Sequence, residues 1–524
     1  MSYFSLHRNL PTGTFFDARP PAATGPRDRT AMWLALVLGL AACLPVLVAR
    51  YPQMSDYPAH LARYYVMLDA GRSPALAHWY RFRWEWTGNV GVDLLIWPFA
   101  AMFGVEQGAR VIAGLIPPLT ALGILAIELS LRRRVTPSSM IAFAFIWSPM
   151  MLIGLLNFTL GLALALLAFA LWVRLEGRAD GGLGRGALFL PIGVVVWLCH
   201  LSAWGVLGVV IFCYEWRQRG LLKAIVAPWP LLLPLLPMML GPILQGNGTS
   251  SHFSYGSAVL TYKMAIWMRN MRDTSYVVDM ASTTLVLGLI VVAICLRRFD
   301  GRLGAAALIM LAMSLAMPRH VSGGDYADFR MISTGLMLAA LAIDWPWPRW
   351  AIWIAPLLYV GRLAITTLSW QADSAQTAAL LQALDHVPQG ANVASAVLVP
   401  ADAWRLDHFE HIGDYAVLRR DAMVNANFAV PHVHMLHLRQ GSFADPSHRV
   451  RQSSGLPVDL AHFGPARNAD FLWYVGIRPP ASLPPGAQVI WQLNPGTSRG
   501  AEPDVENGRQ YSLLARLAKP ASRD

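Results

Sequence analysis

Residues 31–65 read AMWLALVLGLAACLPVLVA RYPQMSDYPAHLARYY. The first part, Ala31 to Ala49, carries no charge and approaches the ~20 apolar residues that a helix needs to cross a bilayer. At its end the character changes at once. Asp56, His60 and Arg63 follow within one short aromatic loop, Tyr51 to Tyr65. Pro58 is suited to the first turn of a helix. His60 would then stand one turn after Asp56 on the same face, with Arg63 near that face as well. Ionisable groups at the mouth of a first span, ahead of a long apolar chain, point to chemistry at that mouth.

The remaining composition agrees with a membrane protein. Of 524 residues 55% are hydrophobic and only 14% charged, with a mean hydropathy of +0.41. Soluble domains carry about 25% charged residues. The net charge of +11 comes almost wholly from arginines that flank apolar runs. They therefore read as topology signals rather than as a nucleic-acid surface. The four cysteines lie in or beside apolar runs, which argues against a disulfide framework or a zinc site.

Taken in order, Met1–Thr30 is expected to be a disordered cytoplasmic tail, and the first span is read as retained. Arg8, Arg19, Arg27 and Arg29 place the N-terminus inside and the Asp56 loop outside. An external segment, 50–107, carries the apolar but short run Val90–Gly104, read as lying on the membrane. Further spans are expected over about 109–131 (closed by Arg132-Arg133-Arg134), 138–155, 158–173, two half-helices meeting at His200 within 187–216, 221–244, 281–296, 303–316, 331–343 and 351–368. The total is about eleven, which leaves the C-terminus outside. The whole is an all-α polytopic membrane protein over 31–370 with an extracytoplasmic α/β domain over 371–524. In that domain Ala375–His386 reads as a helix, and Ala391–Leu398, Phe471–Val475 and Gln488–Leu493 read as strands. Arginine-rich, lysine-poor usage suggests a bacterial inner-membrane protein with this domain in the periplasm.

A second external cluster lies between two spans, Pro318-Arg319-His320-Val321-Ser322-Gly323-Gly324-Asp325-Tyr326-Ala327-Asp328-Phe329-Arg330. Two histidine-dense stretches stand further on, Asp407-His408-Phe409-Glu410-His411 and the trio His432, His434, His437. On a strand, His432 and His434 would share one face, a spacing open to a metal. Without a cysteine or an HExxH spacing, surface or half-buried polar histidines are the preferred reading.

The loop acid after span one, the long amphipathic loop, and Phe103-Gly104-Val105-Glu106-Gln107-Gly108-Ala109-Arg110-Val111-Ile112 entering a span with a basic stop together resemble the GT-C superfamily of membrane glycosyltransferases. They are most similar to its protein O-mannosyltransferase and aminoarabinose-transferase branch, over roughly residues 31–370. The resemblance implies a site on the external face and a sugar donor on a polyprenyl phosphate or pyrophosphate. It puts Asp56 in the place of the family's first-loop catalytic acid. Two departures stand out: Tyr57 occupies the place of a second acid, and Val90–Gly104 replaces a proline-rich aromatic helix.

Glycosyl transfer with inversion needs a base for the acceptor proton and positive partners for the leaving phosphate. Asp56 is the candidate base, or ligand of a divalent metal, the one cofactor anticipated; its plain alternative is helix capping. His60 is its catalytic companion or an interfacial histidine. Arg63, His200, Arg319, His320 and Arg330 are candidates to bind donor phosphate. Against this, Arg63 could hold lipid headgroups, His200 could be a core residue, and Arg330 could pair with Asp325 or Asp328. Asn157 is expected to cap a turn. The expected partners are the lipid-linked donor, membrane lipids and a glycan, lipid or protein acceptor, with no nucleic acid. A transporter or flippase would show internal repeats and midplane charges, and neither is visible here. A non-catalytic assembly factor for envelope polysaccharide is the remaining alternative.

Overall fold

The computed structural model describes residues 29–518 except 86, 177–182, 237, 239–252, 322–323, 430–433, 440–444 and 494–510. The expected tail over 1–30 and His432 therefore lie almost wholly and wholly, respectively, outside the described residues. The chain is mostly helical with a C-terminal sheet. Among the described residues five helices are long and apolar enough to cross a membrane: Arg29–Val48, Val105–Arg132, Leu156–Arg174, Tyr276–Cys295 and Ala351–His386. Five further apolar helices are shorter: Gly91–Phe103, Pro137–Ile153, Gly184–Cys199, Leu221–Leu232 and Gly301–Ala316.

The physical reason for the short pieces is visible in the sequence. Proline cannot donate to the preceding turn. The run expected over 138–155 therefore resolves into Pro137–Ala142, a 3-10 turn Phe143–Phe145 and Pro149–Ile153. Its end matters most. Gly154 takes φ +98°, a conformation that L side chains resist. The turn it makes lies against the loop that carries Met54 and Asp56. Asp56 N donates to Ile153 O at 2.8 Å, and a Cβ on Gly154 would come 3.1 Å from Met54 Cβ and 3.6 Å from Asp56 Cβ.

The run 187–216 is broken at His200, between helices Leu183–Cys199 and Leu201–Arg219. His200 is extended, and its Nδ1 accepts from Ser202 N at 3.0 Å, so the imidazole caps the second helix. Gly161 lets the Leu156–Arg174 helix approach this break. A Cβ there would meet Ala203 Cβ at 2.8 Å and Cys199 Cβ at 3.1 Å. The segment before the Gly91–Phe103 helix is stitched to the same break by Val90 N to Leu198 O and Leu201 N to Gly88 O, each 2.8 Å.

The composition change at Trp370 is not a break in structure. The Pro356–Leu380 helix runs through it and continues as a 3-10 helix, Leu381–His386, so the separate helix expected over 375–386 is the end of the last apolar helix. The sheet follows. Its central strand, Asn392–Pro400, pairs in parallel with Phe471–Gly476 on one side. On the other it pairs with Met423–Val424 and then Arg449–Gln452, also parallel. Tyr511–Arg516 joins Phe471–Gly476 and Gln488–Leu493 antiparallel, with a register shift between Leu514 and Ala515.

Alternation along these strands divides two cores. Val393, Val397, Phe471, Trp473 and Val475 face the core shared with the apolar helices, whereas Ala394, Ala396, Leu398, Leu472 and Tyr474 enclose a separate smaller core. One face of the sheet is thus packed onto the helical part, and Asp407 and His411 lie beside the loop that carries Ser55 and Asp56.

Candidate functional site

Asp56 precedes the Tyr57–Asp69 helix, but its side chain caps nothing. Its backbone is helical (φ −89°, ψ −8°) and makes no side-chain cap hydrogen bond. The extended backbone of a capping residue is missing, so the capping alternative fails. The carboxylate is instead turned toward the sheet region, 20% exposed, with Oδ1 4.0 Å from His411 Nε2. Burial pushes the Asp56 carboxyl up to about 6, against the pull of His411.

His60 does not share that duty. It is buried with Nδ1 unpartnered, stacked near Tyr64 and edge-on to Phe428 at 5.0 Å. Burial, with Arg63 beside it, holds its imidazole well below the usual range and therefore neutral. Phe428 also meets His411 (4.9 Å) and His434 (4.7 Å, parallel), so one phenyl ring separates three histidines.

Arg63 is not available to a phosphate or a lipid. Its Nη2 donates to Asp93 Oδ2 at 2.9 Å, and its Nη1 lies 3.0 Å from His434 Nδ1, in full burial. Asn157 completes this knot. Its Nδ2 donates to Asn89 O at 2.8 Å and Asp93 Oδ2 at 3.3 Å, and its Oδ1 accepts from Val92 N at 2.7 Å. Asn157 thus bridges helices rather than capping its own turn. An acid within the apolar run Val90–Gly104 was the sequence signal for this ion pair.

In the second cluster the partners also differ from expectation. Arg319 grips Asp325 through two bonds of 2.7 Å, with His320 Nδ1 3.5 Å from the same carboxylate. Asp325 stays below the usual carboxylate range because Arg319 outweighs its burial. Asp328 is held by Lys263 at 2.6 Å and Tyr262 at 3.1 Å. Arg319 and His320 are therefore already engaged, and Asp325 and Asp328 are unavailable to pair with Arg330.

Arg330 is left in an unusual position. It is 8% exposed, forms no ion pair among the described residues, and its Nε has no hydrogen-bond partner. Its guanidinium lies over Phe158 at 5.6 Å, whose other neighbour is the His200 ring at 5.5 Å. Asp325, Asp56 and Asp328 are the acids near enough to act on it through space.

The sheet region contributes residues that the sequence reading singled out only as a histidine-dense run. His411 Nδ1 faces Ala426 O at 2.8 Å and Asp414 Oδ2 at 3.3 Å, and its Nε2 faces Glu410 Oε1 at 3.9 Å. Burial alone would lower His411, but Asp414, Glu410 and Asp56 hold it up at about 9. Arg449 donates to Glu410 Oε1. Ser55 Oγ donates to Asp407 O, tying the Asp56 loop to this turn. His448 lies 4.7 Å from the His411 ring. Nothing in the sequence around His448 sets it apart, because only the parallel pairing of its strand brings it there. His432 lies outside the described residues, so a face shared with His434 is not described; His434 precedes the Leu436–Leu438 strand and turns to Arg63, and His437 turns to Glu85 at 3.6 Å.

Comparison of the chain with protein-family models, with curated proteins and with solved structures finds no match.

Proposed function

We propose that this protein is an integral-membrane glycosyltransferase of the GT-C type. It moves a sugar from a polyprenyl-phosphate-linked donor to a glycan, lipid or protein acceptor on the periplasmic face of a bacterial inner membrane. In this reading the shorter apolar helices complete a bundle of about eleven crossings. The observation that carries the reading is Arg330: a buried guanidinium with no ion-pair partner among the described residues, on which the part-exposed carboxylate Asp56 acts through space. A desolvated, unpaired cation is costly, and an arriving phosphate relieves that cost through the fork geometry that guanidinium offers.

The step follows from these groups. Asp56 takes the proton of an acceptor hydroxyl as its oxygen bonds to the anomeric carbon. The bond from that carbon to the phosphate oxygen breaks, and the lipid phosphate leaves with the electron pair. Arg330 stabilises the charge that develops there, with His200 on the same Phe158 ring beside it. A carboxyl raised to about 6 is still largely ionised at neutral pH and is a stronger base than an ordinary aspartate.

The competing reading is a non-catalytic assembly factor. It is favoured by the way the 405–411 segment closes on the Asp56 loop. Reconstituted protein supplied with polyprenyl-phosphate-linked sugars separates the two. A transferase releases polyprenyl phosphate and Asp56→Asn abolishes the release while the protein still inserts. Equal behaviour of wild type and Asp56→Asn favours the assembly factor.

A further inference from the structure

We propose that Glu410, His411 and His448 form a binding site for one divalent transition metal of the zinc class, open on the side of Asp56. One ligand atom from each of the three residues falls within 4.8 Å of the others. The two imidazoles are 3% and 9% exposed, yet Nε2 of each has no hydrogen-bond partner. Such atoms are rare in folded proteins, and each calls for an occupant.

The surroundings fix which nitrogen is offered. His411 Nδ1 is turned to the Ala426 carbonyl and the Asp414 carboxylate, and His448 Nδ1 is turned to Pro446 O at 3.3 Å. Ligating histidines are held in this way, with the far nitrogen on a carbonyl or carboxylate and Nε2 left for the metal. Arg449 on Glu410 orients the third ligand similarly.

The frame is stiff. His448 O accepts from Val397 N at 2.8 Å, which fixes His448 to the central strand. Gly413, two residues after His411, lies so close to Ser395 that a Cβ would fall 2.4 Å from its Oγ. Two imidazoles with one carboxylate are the donor set of zinc and its neighbours. Calcium and magnesium take mostly oxygen. Three protein ligands leave a fourth position, and Asp56 Oδ1 lies 4.0 Å from His411 Nε2 on the side of the first loop. The bound ion would tie the sheet region to the first external loop. The site stands independently of the transferase reading, because metal binding is measured without turnover.

The test uses the full chain, purified through a tag without histidine, stripped with a chelator and titrated with Co²⁺ and then Zn²⁺. The expected result is one equivalent of Co²⁺ with the visible absorption of a tetrahedral site, displaced by Zn²⁺. His411→Gln and His448→Gln should each weaken zinc binding by ~100-fold or more, and Asp414→Asn by ~10–100-fold. His462→Gln, at an exposed position, should leave binding unchanged. Uptake below ~0.1 equivalent by wild-type protein, or unchanged binding in folded His448→Gln protein, overturns the assignment. If a variant fails to fold, the wild-type spectrum and stoichiometry decide alone. A protein that binds zinc but transfers no sugar would refute the transferase and leave the metal site standing.

Discussion

His411 Nε2 lies 4.0 Å from Asp56 Oδ1, which brings the loop after the first apolar helix to a turn of the C-terminal sheet region. Among the described residues His411 Nε2 has no hydrogen-bond partner, and the Asp56 side chain makes no cap hydrogen bond. The site is therefore composite: its acid comes from the mouth of the first apolar helix and its histidines from more than 350 residues later.

Asp56→Asn should lower turnover by ~10²–10⁴-fold, the usual contribution of a general base. Insertion and thermal stability should hold, since the Asp56 side chain caps no helix. Steady-state release of polyprenyl phosphate, beside a melting curve, checks both halves.

Arg330 and Arg63 should respond in opposite ways. Arg330→Gln removes a buried charge that has no ion-pair partner among the described residues, so stability should stay level or rise while donor release falls by ~100-fold, the cost of one oxyanion-type donor. Arg63→Ala strands Asp93 in full burial and should cost about 3–5 kcal/mol. Replacing both Arg63 and Asp93 with apolar residues should restore much of that loss. Thermal denaturation of the three variants beside wild type reads the contrast directly.

Gly154→Ala forces a side chain into φ +98° with 3.1 Å to Met54 Cβ. The strain alone is worth ~1–2 kcal/mol. Because Asp56 N bonds to Ile153 O beside it, turnover should fall more than the modest loss of stability explains. Kinetics at a temperature well below melting tests this.

Burial pushes the Asp407 carboxyl up to about 7 from an ordinary 3.8. The folded protein then binds this proton more tightly than the unfolded chain. Its contribution is fully present below about pH 4, is lost as pH rises to about 7, and is flat above. Asp407→Asn should remove that slope from a plot of melting temperature against pH, and retention of the same slope would contradict the assignment.

Much of the helical architecture was legible. Long charge-free runs with arginine at their ends marked the apolar helices, and the break at His200 was readable because Ala187–Trp216 is too long for one span. Phe471–Gly476 and Gln488–Leu493 declared themselves by apolar runs. Tyr511–Arg516 and Arg449–Gln452 did not, because a short strand with arginines depends on its neighbours for its conformation. At the site, Asp56 and Arg330 were visible as ionisable groups at span ends. Their partners were not. Whether Arg63, Arg319 or Arg330 keeps a free charge depends on which acid lies nearby in space: Asp93 and Asp325 take the first two, and Lys263 takes the acid that Arg330 would have used. His448 illustrates the same limit, since only sheet register brings it to His411.

The most direct test is a cryo-electron microscopy structure of the full chain with a polyprenyl-phosphate analogue. The account predicts phosphate density within ~3 Å of the Arg330 guanidinium, beside His200 and across the pocket from Asp56. A phosphate bound elsewhere, with Arg330 still buried and unpaired, would contradict it.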